Sequence, residues 1–408
     1  MSRRRHKQQH IQPFDLTLTA DRLGFQGEAL ARHGEDLVFI PYAIPGEQVE
    51  ATVWRKTGDY LEADLKRVIT PSPDRVEPPC PYYTRCTGCE WQHIAYPRQL
   101  QIKSDLVADH LRRTGAFDAP PVLPTIGCDD PWAYRNHARF TVRKDGQLGF
   151  VNRSRRYFVR IDRCLIMDEG VNRILAQLQD KCGETSQLSI RYGVNTGDYL
   201  VQPTLQSLDV TIPVGQTHYT EELNGRRFRI ASPSFFQVNT RQAARLIDLV
   251  RERLALTPAD TLVDAYAGVG VFAALLAPHV QRVLAIEESS SAIADAQQNM
   301  TGLANVEMIE GKTEAILPTL QGRADAVILD PPRAGCHRSA LDALIALRPS
   351  RIAYVSCDPA TLARDLRILC ESAFDLVEVQ PIDLFPHTHH IEVVATLRAR
   401  PAPSITPA

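Results

Sequence analysis

The chain has 408 residues, 44% hydrophobic and 23% charged, enough for two or three domains with a sizeable core, and this composition excludes wholesale disorder. Its longest uncharged, largely apolar run, residues 265–277, has 13 residues, short of the roughly 18 that a membrane span requires, so no membrane role is expected. Net charge is −2, but residues 1–165 carry +5 and residues 166–408 carry −7, an asymmetry that suits an RNA- or DNA-facing half joined to a half with other work.

The basic start, Met1 to Lys7, leads into Gln8-Gln9-His10 rather than an apolar stretch. No secretory signal is read there, a cytoplasmic location is expected, and the nine cysteines are expected as thiols, metal ligands or nucleophiles rather than disulfides. Residues 12–70 hold short extended runs at 16–19, 28–31, 37–40 and 49–53, punctuated by Gly24, Gly27, Gly34 and Pro45-Gly46. That pattern predicts a small β-barrel. Pro71, Pro73, Pro78, Pro79 and Pro81 form a stiff linker into Cys80-Pro-Tyr-Tyr-Thr-Arg-Cys86-Thr-Gly-Cys89. Three thiols in ten residues, with Cys164 downstream, suit a [4Fe–4S] cluster or a zinc ion, and spacing does not decide between them. Residues 90–232 read as mixed, with extended runs at 138–142 and 188–192, and 135–163 holds nine basic residues against two acidic ones.

From residue 240 the pattern becomes strand–helix alternation, with strand-sized apolar runs at 261–266, 282–287, 306–309, 324–330 and 351–356 and a last strand at 391–397 after Pro381 and Pro386. Repeated β-α units predict a mostly parallel sheet covered on both faces. The Pro/Ala-rich tail from Pro401 is expected to be disordered. In the first βα turn, Gly268-Val269-Gly270-Val271-Phe272-Ala273 lets the backbone approach a ligand, and Glu287 ends the next strand where an acid accepts from ribose hydroxyls. The turn alone fits either NAD or S-adenosylmethionine, but Asp264 would crowd a pyrophosphate and suits the cationic end of S-adenosylmethionine.

Three more residues fall at strand ends: Asp330 before Pro331-Pro332-Arg333, Cys357 within Ser356-Cys357-Asp358-Pro359, and Glu392 within His389-His390-Ile391-Glu392. A helix starting near Pro359 would lower the Cys357 thiol pKa, and apolar neighbours would raise that of Glu392 toward base duty. An activated cysteine, a carboxylate base, a polar group at the pyrimidine edge and a methyl donor are what methylation of uracil C5 demands. The thiolate adds to C6, C5 takes the methyl, and a base removes the C5 proton so that the thiol leaves.

On these residues the sequence resembles the RNA uracil-C5 methyltransferase family, in particular its members with an N-terminal TRAM domain and a [4Fe–4S] cluster. Phe39-Ile40-Pro41 with Pro45-Gly46-Glu47 is similar to the TRAM signature, and Ser234-Phe235-Phe236-Gln237-Val238-Asn239 to the segment whose glutamine contacts S-adenosylmethionine. The resemblance implies Cys357 as nucleophile and Glu392 as general base, Gln237, Tyr266, Glu287 and Asp330 as cofactor contacts, and Cys80, Cys86, Cys89 and Cys164 as cluster ligands. It departs at Val271, where many relatives have asparagine, at Lys312, where many methyltransferases place an acidic or amide residue, and at Thr87 in the family's Gly-Gly-Cys.

The expectation is therefore a class I α/β methyltransferase with a Rossmann-like sheet. It comprises a TRAM OB-like barrel over 12–70, a central domain with the cluster loop and RNA-facing basic segment over 71–240, and an S-adenosylmethionine-dependent domain over 241–400. A cytoplasmic monomer methylating 23S ribosomal RNA is expected, with transfer RNA as the alternative substrate. From other classes, a non-catalytic RNA-binding protein leaves the Cys357–Glu392 pair unexplained, and a cluster-based redox enzyme using NAD leaves Asp264 and Cys357 unexplained.

Overall fold

A computed structural model of the protein describes residues 8–24, 26–152, 155–320 and 324–401. The basic start, Arg153 of the basic segment and the tail beyond Pro401 lie outside the described residues. Two compact units divide the chain. The first comprises residues up to Lys103, Phe150–Val159 and Phe385–His389; the second comprises Ser104–Gly149, Arg160–Leu384 and the chain from His390.

The first unit carries strands β1 (Gln8–Thr19), β2 (Arg22–Leu23), β3 (Ala29–His33), β4 (Asp36–Ile40), β5 (Gln48–Thr57) and β6 (Tyr60–Thr70), paired in the order β1-β5-β6-β4-β3-β2. In β5 the inward positions Val49, Ala51 and Val53 are buried while Gln48 is exposed, the period-two pattern of a strand with one covered face. Strand β6 was not legible in the sequence because its outward positions are charged. Lys66 pairs across the sheet with Asp15 (2.6 Å) and Glu50 (2.7 Å). After β6 the chain runs through turns and is fastened back to the sheet by Arg75, whose guanidinium donates to both oxygens of buried Glu47 (2.5 and 2.6 Å). The backbone N–H groups of Ile44 and Ser72 donate to the same carboxylate.

Helix α1 (Tyr96–Arg113) precedes β7 (His137–Val142), β8 (Leu148–Val151) and β9 (Phe158–Arg160), three strands of a second sheet. Helix α2 (Glu169–Leu178), β10 (Gln187–Tyr192) and β11 (Tyr199–Gln202) follow, and the five strands order as β11-β10-β7-β8-β9. A hairpin of β12 (His218–Leu223) and β13 (Arg226–Ala231) leads to helix α3 (Thr240–Leu254).

The expected alternation then appears: β14 (Thr261–Asp264), α4 (Val271–Leu276), β15 (Arg282–Glu287), α5 (Ser290–Asn299), β16 (Val306–Glu310), α6 (Thr313–Ile316), β17 (Ala326–Leu329), α7 (Arg338–Leu347), β18 (Arg351–Ser356), α8 (Pro359–Ser372), β19 (Phe374–Ile382) and β20 (Glu392–Ala399). These seven strands form one sheet ordered β16-β15-β14-β17-β18-β20-β19, parallel from β16 to β18 and antiparallel at β20 and β19. Every residue of β17 is buried, as a central parallel strand requires, and Leu341, Leu344, Leu362 and Leu366 of α7 and α8 share its core with Val327, Leu329, Ile352 and Tyr354.

Strand β19 was not expected, because Pro381 and its charged residues read as an interruption. It lies at the sheet edge, where a proline costs no ladder bond. Short parallel bridges at Val122↔Val379 and Ile126↔Ile382 cover that edge.

The Glu47–Arg75 clasp generates a prediction. Burial alone would raise the Glu47 pKa, but the Arg75 bonds and the two N–H groups outweigh it and hold it below 4.5. Its contribution is therefore present above pH 4.5 and is lost as pH falls through the lowered value. Glu47→Ala is expected to cost about 3 kcal/mol at pH 7, because it strands a half-buried guanidinium. Thermal melts should show that cost shrinking toward pH 4.

Candidate active site

Strands β14, β17 and β18 end side by side at Asp264, Leu329 and Ser356, the carboxyl rim where open α/β sheets bind ligands. Because β20 runs antiparallel to β18, its first residue reaches that rim as well. The ladder ends at Ser356↔Val393, which leaves Cys357 and Glu392 as the next residues outward on adjacent strands. Asp330, one residue beyond β17, joins them. Glu392 and Asp264 are buried, whereas Asp330 and Cys357 are half-buried.

The turn after β14 is shaped for a ligand. Gly268 has φ +54° and Gly270 φ +83°, and a Cβ added at Gly268 would meet nothing within 4 Å, so the backbone there faces open space. Gly268 N donates to Glu287 Oε2 at 2.8 Å, while Glu287 Oε1 accepts from the N–H groups of Glu288 (3.0 Å) and Ser289 (2.8 Å). Three backbone N–H groups thereby hold the carboxylate at the end of β15, beside the glycine turn. Asp264 Oδ2 accepts from Ala273 N at 3.0 Å, but Oδ1 is buried with no hydrogen-bond partner. Burial, reinforced by the Asp330 and Glu287 charges, pushes Asp264 up to about 7. An orphaned buried acceptor beside an open glycine turn fits a ligand that brings positively charged donors.

Charge around Cys357 is equally crowded. Burial pushes Asp330 up to about 7. Burial and the Asp330 charge hold Glu392 well above the usual carboxylate range, opposed by Arg333. The Cys357 thiol is pushed up to about 11 by burial and the Glu392 charge, and Arg333 again opposes the shift. This corrects the expectation that the helix start would lower the Cys357 pKa. The first N–H groups of α8 are already occupied, because Asp358 caps them through Ala360 N and Thr361 N, both at 3.0 Å. The direction expected for Glu392 agrees with the structure.

Arg333, inside the Asp330-Pro331-Pro332-Arg333 motif, is a functional candidate to which the sequence alone assigns no role. It interacts with Cys357 and Glu392, and its Nη2 donates to His390 Nδ1 at 3.4 Å. The usable signal was its place three residues past a strand end. The loop it sits on is anchored by buried Asp365, which accepts from Cys336 N (2.8 Å) and the Tyr354 hydroxyl (2.7 Å).

Tyr266 is half-buried, with its hydroxyl beside Cys336 and Thr313. Gln237 lies on the segment after β13. Its carbonyl accepts from Asn136 Nδ2 (3.0 Å), and Ser234 on the same segment donates to Asp295 (2.8 Å). Val271 opens α4, and Lys312 stands at the N-terminus of α6.

Cys80, Cys86 and Cys89 lie on one turn-rich loop of the first unit, with Cys89 buried, while Cys164 belongs to the second unit. There Cys164 exchanges two hydrogen bonds with Asn172. Soft thiol donors suit iron–sulfur or zinc. Among the described residues, however, no three His, Cys, Asp or Glu side chains are gathered as a metal-ion site. No helix among them is long and apolar enough to cross a membrane.

Residues 206–400 match the tRNA (Uracil-5-)-methyltransferase family. An uncharacterized RNA methyltransferase of Halalkalibacterium halodurans is 33% identical, with 94% of this chain and 97% of that protein covered. One of Gloeobacter violaceus is 34% identical, with 95% and 97% covered. The crystal structure of Pyrococcus abyssi tRNA (uracil-54, C5)-methyltransferase in complex with S-adenosyl-L-homocysteine is similar at TM-score 0.73 and 25% identity, over 93% of this chain and 99% of that one. A strand rim crowded with acids around one cysteine, on a chain matched along almost its whole length by these proteins, belongs to the RNA (uracil-5-)-methyltransferase family.

Proposed function

We propose that this protein uses S-adenosylmethionine to methylate uracil C5 in 23S ribosomal RNA, through a covalent bond between Cys357 and C6. The observation that carries this reading is the antiparallel register that sets Cys357 and Glu392 on one rim beside Asp330 and Arg333. S-adenosylmethionine supplies the electrophilic methyl group. Asp264 and Asp330 answer its charge, Glu287 accepts from its ribose, and Gln237 and Tyr266 complete the wall of its site. Cys357 loses its thiol proton to water and its sulfur bonds to C6, so that C5 attacks the methyl group and S-adenosylhomocysteine leaves. Asp330 holds the pyrimidine edge before the covalent step, and Arg333 stabilises the thiolate. Glu392 then takes the C5 proton, the Cys357–C6 bond breaks, and the thiol is restored.

The ribosomal substrate rests on the TRAM-like motif and the cysteine set. In this reading 12–70 is the OB-like barrel, 71–240 carries the RNA-facing surface, and 241–400 performs the transfer. Cys80, Cys86, Cys89 and Cys164 hold a [4Fe–4S] cluster with a structural role, and no chemical step runs through it. The second reading is a transfer-RNA substrate, favoured by the Pyrococcus abyssi neighbour. Because the family is one of methyltransferases, the redox alternative is dropped. Mapping 5-methyluridine in ribosomal and transfer RNA with and without the gene separates the two substrates.

Cys357→Ser is expected to lose turnover while still binding S-adenosylmethionine, and wild type should form a gel-stable adduct with RNA carrying 5-fluorouridine. Normal turnover by the serine protein removes Cys357 from the mechanism. Since the thiol lies near 11 and Glu392 is raised, both active forms are deprotonated ones. Single-turnover rates should therefore climb between pH 7 and pH 9, by up to about tenfold per unit. A flat profile there contradicts a thiol of that acidity as nucleophile. Anaerobic purification should yield about four irons per chain, and zinc in their place would overturn the cluster assignment.

A further inference from the structure

Phe385–His389 is the one short segment of the late chain that belongs to the first unit, and the chain returns to the second unit at His390. It is held there unusually firmly. The hub is Gln99, a fully buried amide on α1. Its Nε2 faces the carbonyls of Trp91 (3.0 Å) and Ile94 (2.8 Å) and the Nδ1 of His387 (3.1 Å), and its Oε1 accepts from His387 N (2.9 Å). Trp91 N in turn donates to the His387 carbonyl at 3.0 Å. Lys103, also fully buried, donates to the Phe385 carbonyl at 3.1 Å, and Glu90 faces the His389 ring at 3.4 Å. His387 is gripped through its N–H, its carbonyl and its ring in a left-handed conformation, φ +65°. A non-glycine residue persists in that conformation only where its surroundings over-determine it. Two of the residues in the grip, Glu90 and Trp91, directly follow Cys89.

The purpose of so many bonds on five residues is explained by what comes next along the chain. Glu392 follows His389 by three residues and opens β20. The ladders with β18 and β19 hold β20 in register, and Glu392, its first residue, is the one nearest the anchored segment, so the backbone leading into it is set from that side. We propose that Gln99 and His387, together with the Glu90-Trp91 step of the cysteine-rich loop, are positioning residues for Glu392, fixing the segment before β20 so that the C5 proton is removed after methyl transfer. The inference rests on the reading of Glu392 as the base. It gives the cysteine-rich loop a share in the second half of the reaction.

The test separates the two halves. Total RNA from cells lacking this protein is incubated with methyl-labelled S-adenosylmethionine, and label retained on the protein in denaturing gels is compared with label released in free RNA. Gln99→Met removes the polar hub while keeping its bulk, and His387→Leu removes the ring acceptor. Both are expected to leave the Kd for S-adenosylmethionine and the rate of adduct formation unchanged, but to slow release of methylated RNA by about tenfold, so that labelled adduct accumulates. His387→Asn tolerates the left-handed backbone and offers an acceptor oxygen, so it should restore release to within about twofold of wild type. Release at the wild-type rate in Gln99→Met and His387→Leu, while Glu392→Gln stalls as the adduct, overturns the positioning role alone. Cofactor binding, adduct formation and release that fall together in both variants also overturn it, since that pattern marks a merely structural network. Free turnover by Glu392→Gln removes the base reading itself, and this inference with it.

Discussion

The site depends on one reversal of strand direction. Five parallel strands deliver their carboxyl ends to one rim, which supplies Asp264, Asp330 and Cys357 but only from strands that end there. A residue at the start of a strand reaches the same rim only if that strand runs the other way, and β20 does so against β18. The pairing also fixes distance, because neighbouring strands are about 4.8 Å apart. Two residues that flank one ladder rung cannot separate unless the rung breaks. Cys357 and Glu392 are such a pair, 35 positions apart in sequence and adjacent across the ladder.

Burial of acids is the second constraint, and it works against stability. Asp264, Asp330 and Glu392 all have their carboxyls pushed up by burial, and the Asp330 charge raises the other two further. Carboxyls desolvated together cannot all ionise, so the cluster stays partly protonated near neutral pH until something cationic enters. Asp264 states this most clearly, since one of its oxygens is fastened to Ala273 while the other is buried without a partner. A fold maintained for stability alone would fill that position with an apolar side chain.

Much of this was readable in advance, and the failures have physical causes. The parallel strands were legible because each is buried on both faces and reads as an apolar run, with β15 and β18 matching to the residue. The rim residues were legible because they follow such runs. Strands β6 and β19 were not, since one is laced by surface ion pairs and the other is an edge strand containing proline. The acidity of Cys357 was misjudged for a different reason. A helix N-terminus lowers a thiol pKa only while its N–H groups are unclaimed, and the next residue, Asp358, is itself the cap. Sequence shows both the thiol and the cap, but geometry decides which of them receives the N–H groups. The network around Gln99 was invisible for the usual reason that its partners lie 288 positions apart.

The proposed mechanism asks a thiol held near 11 to serve as the nucleophile. Its two chief neighbours pull in opposite directions: the Glu392 charge raises it and Arg333 lowers it. Glu392, however, is itself raised well above the ordinary range by burial and by Asp330. Whenever the carboxyl pair retains a proton, the repulsion on the sulfur falls while the attraction of Arg333 persists. In that mechanism, the proton that would hinder Glu392 as a base at the start of the cycle is thus the one whose presence favours the Cys357 thiolate. Methyl transfer would then reverse the requirement, because the proposed base is needed only after the sulfur has bonded to carbon and no longer carries charge. With the sulfur neutral, one source of negative charge beside Glu392 is gone, and its carboxylate form becomes easier to reach. The same crowding that disfavours both anions together therefore permits each in turn, in the order that the proposed chemistry uses them.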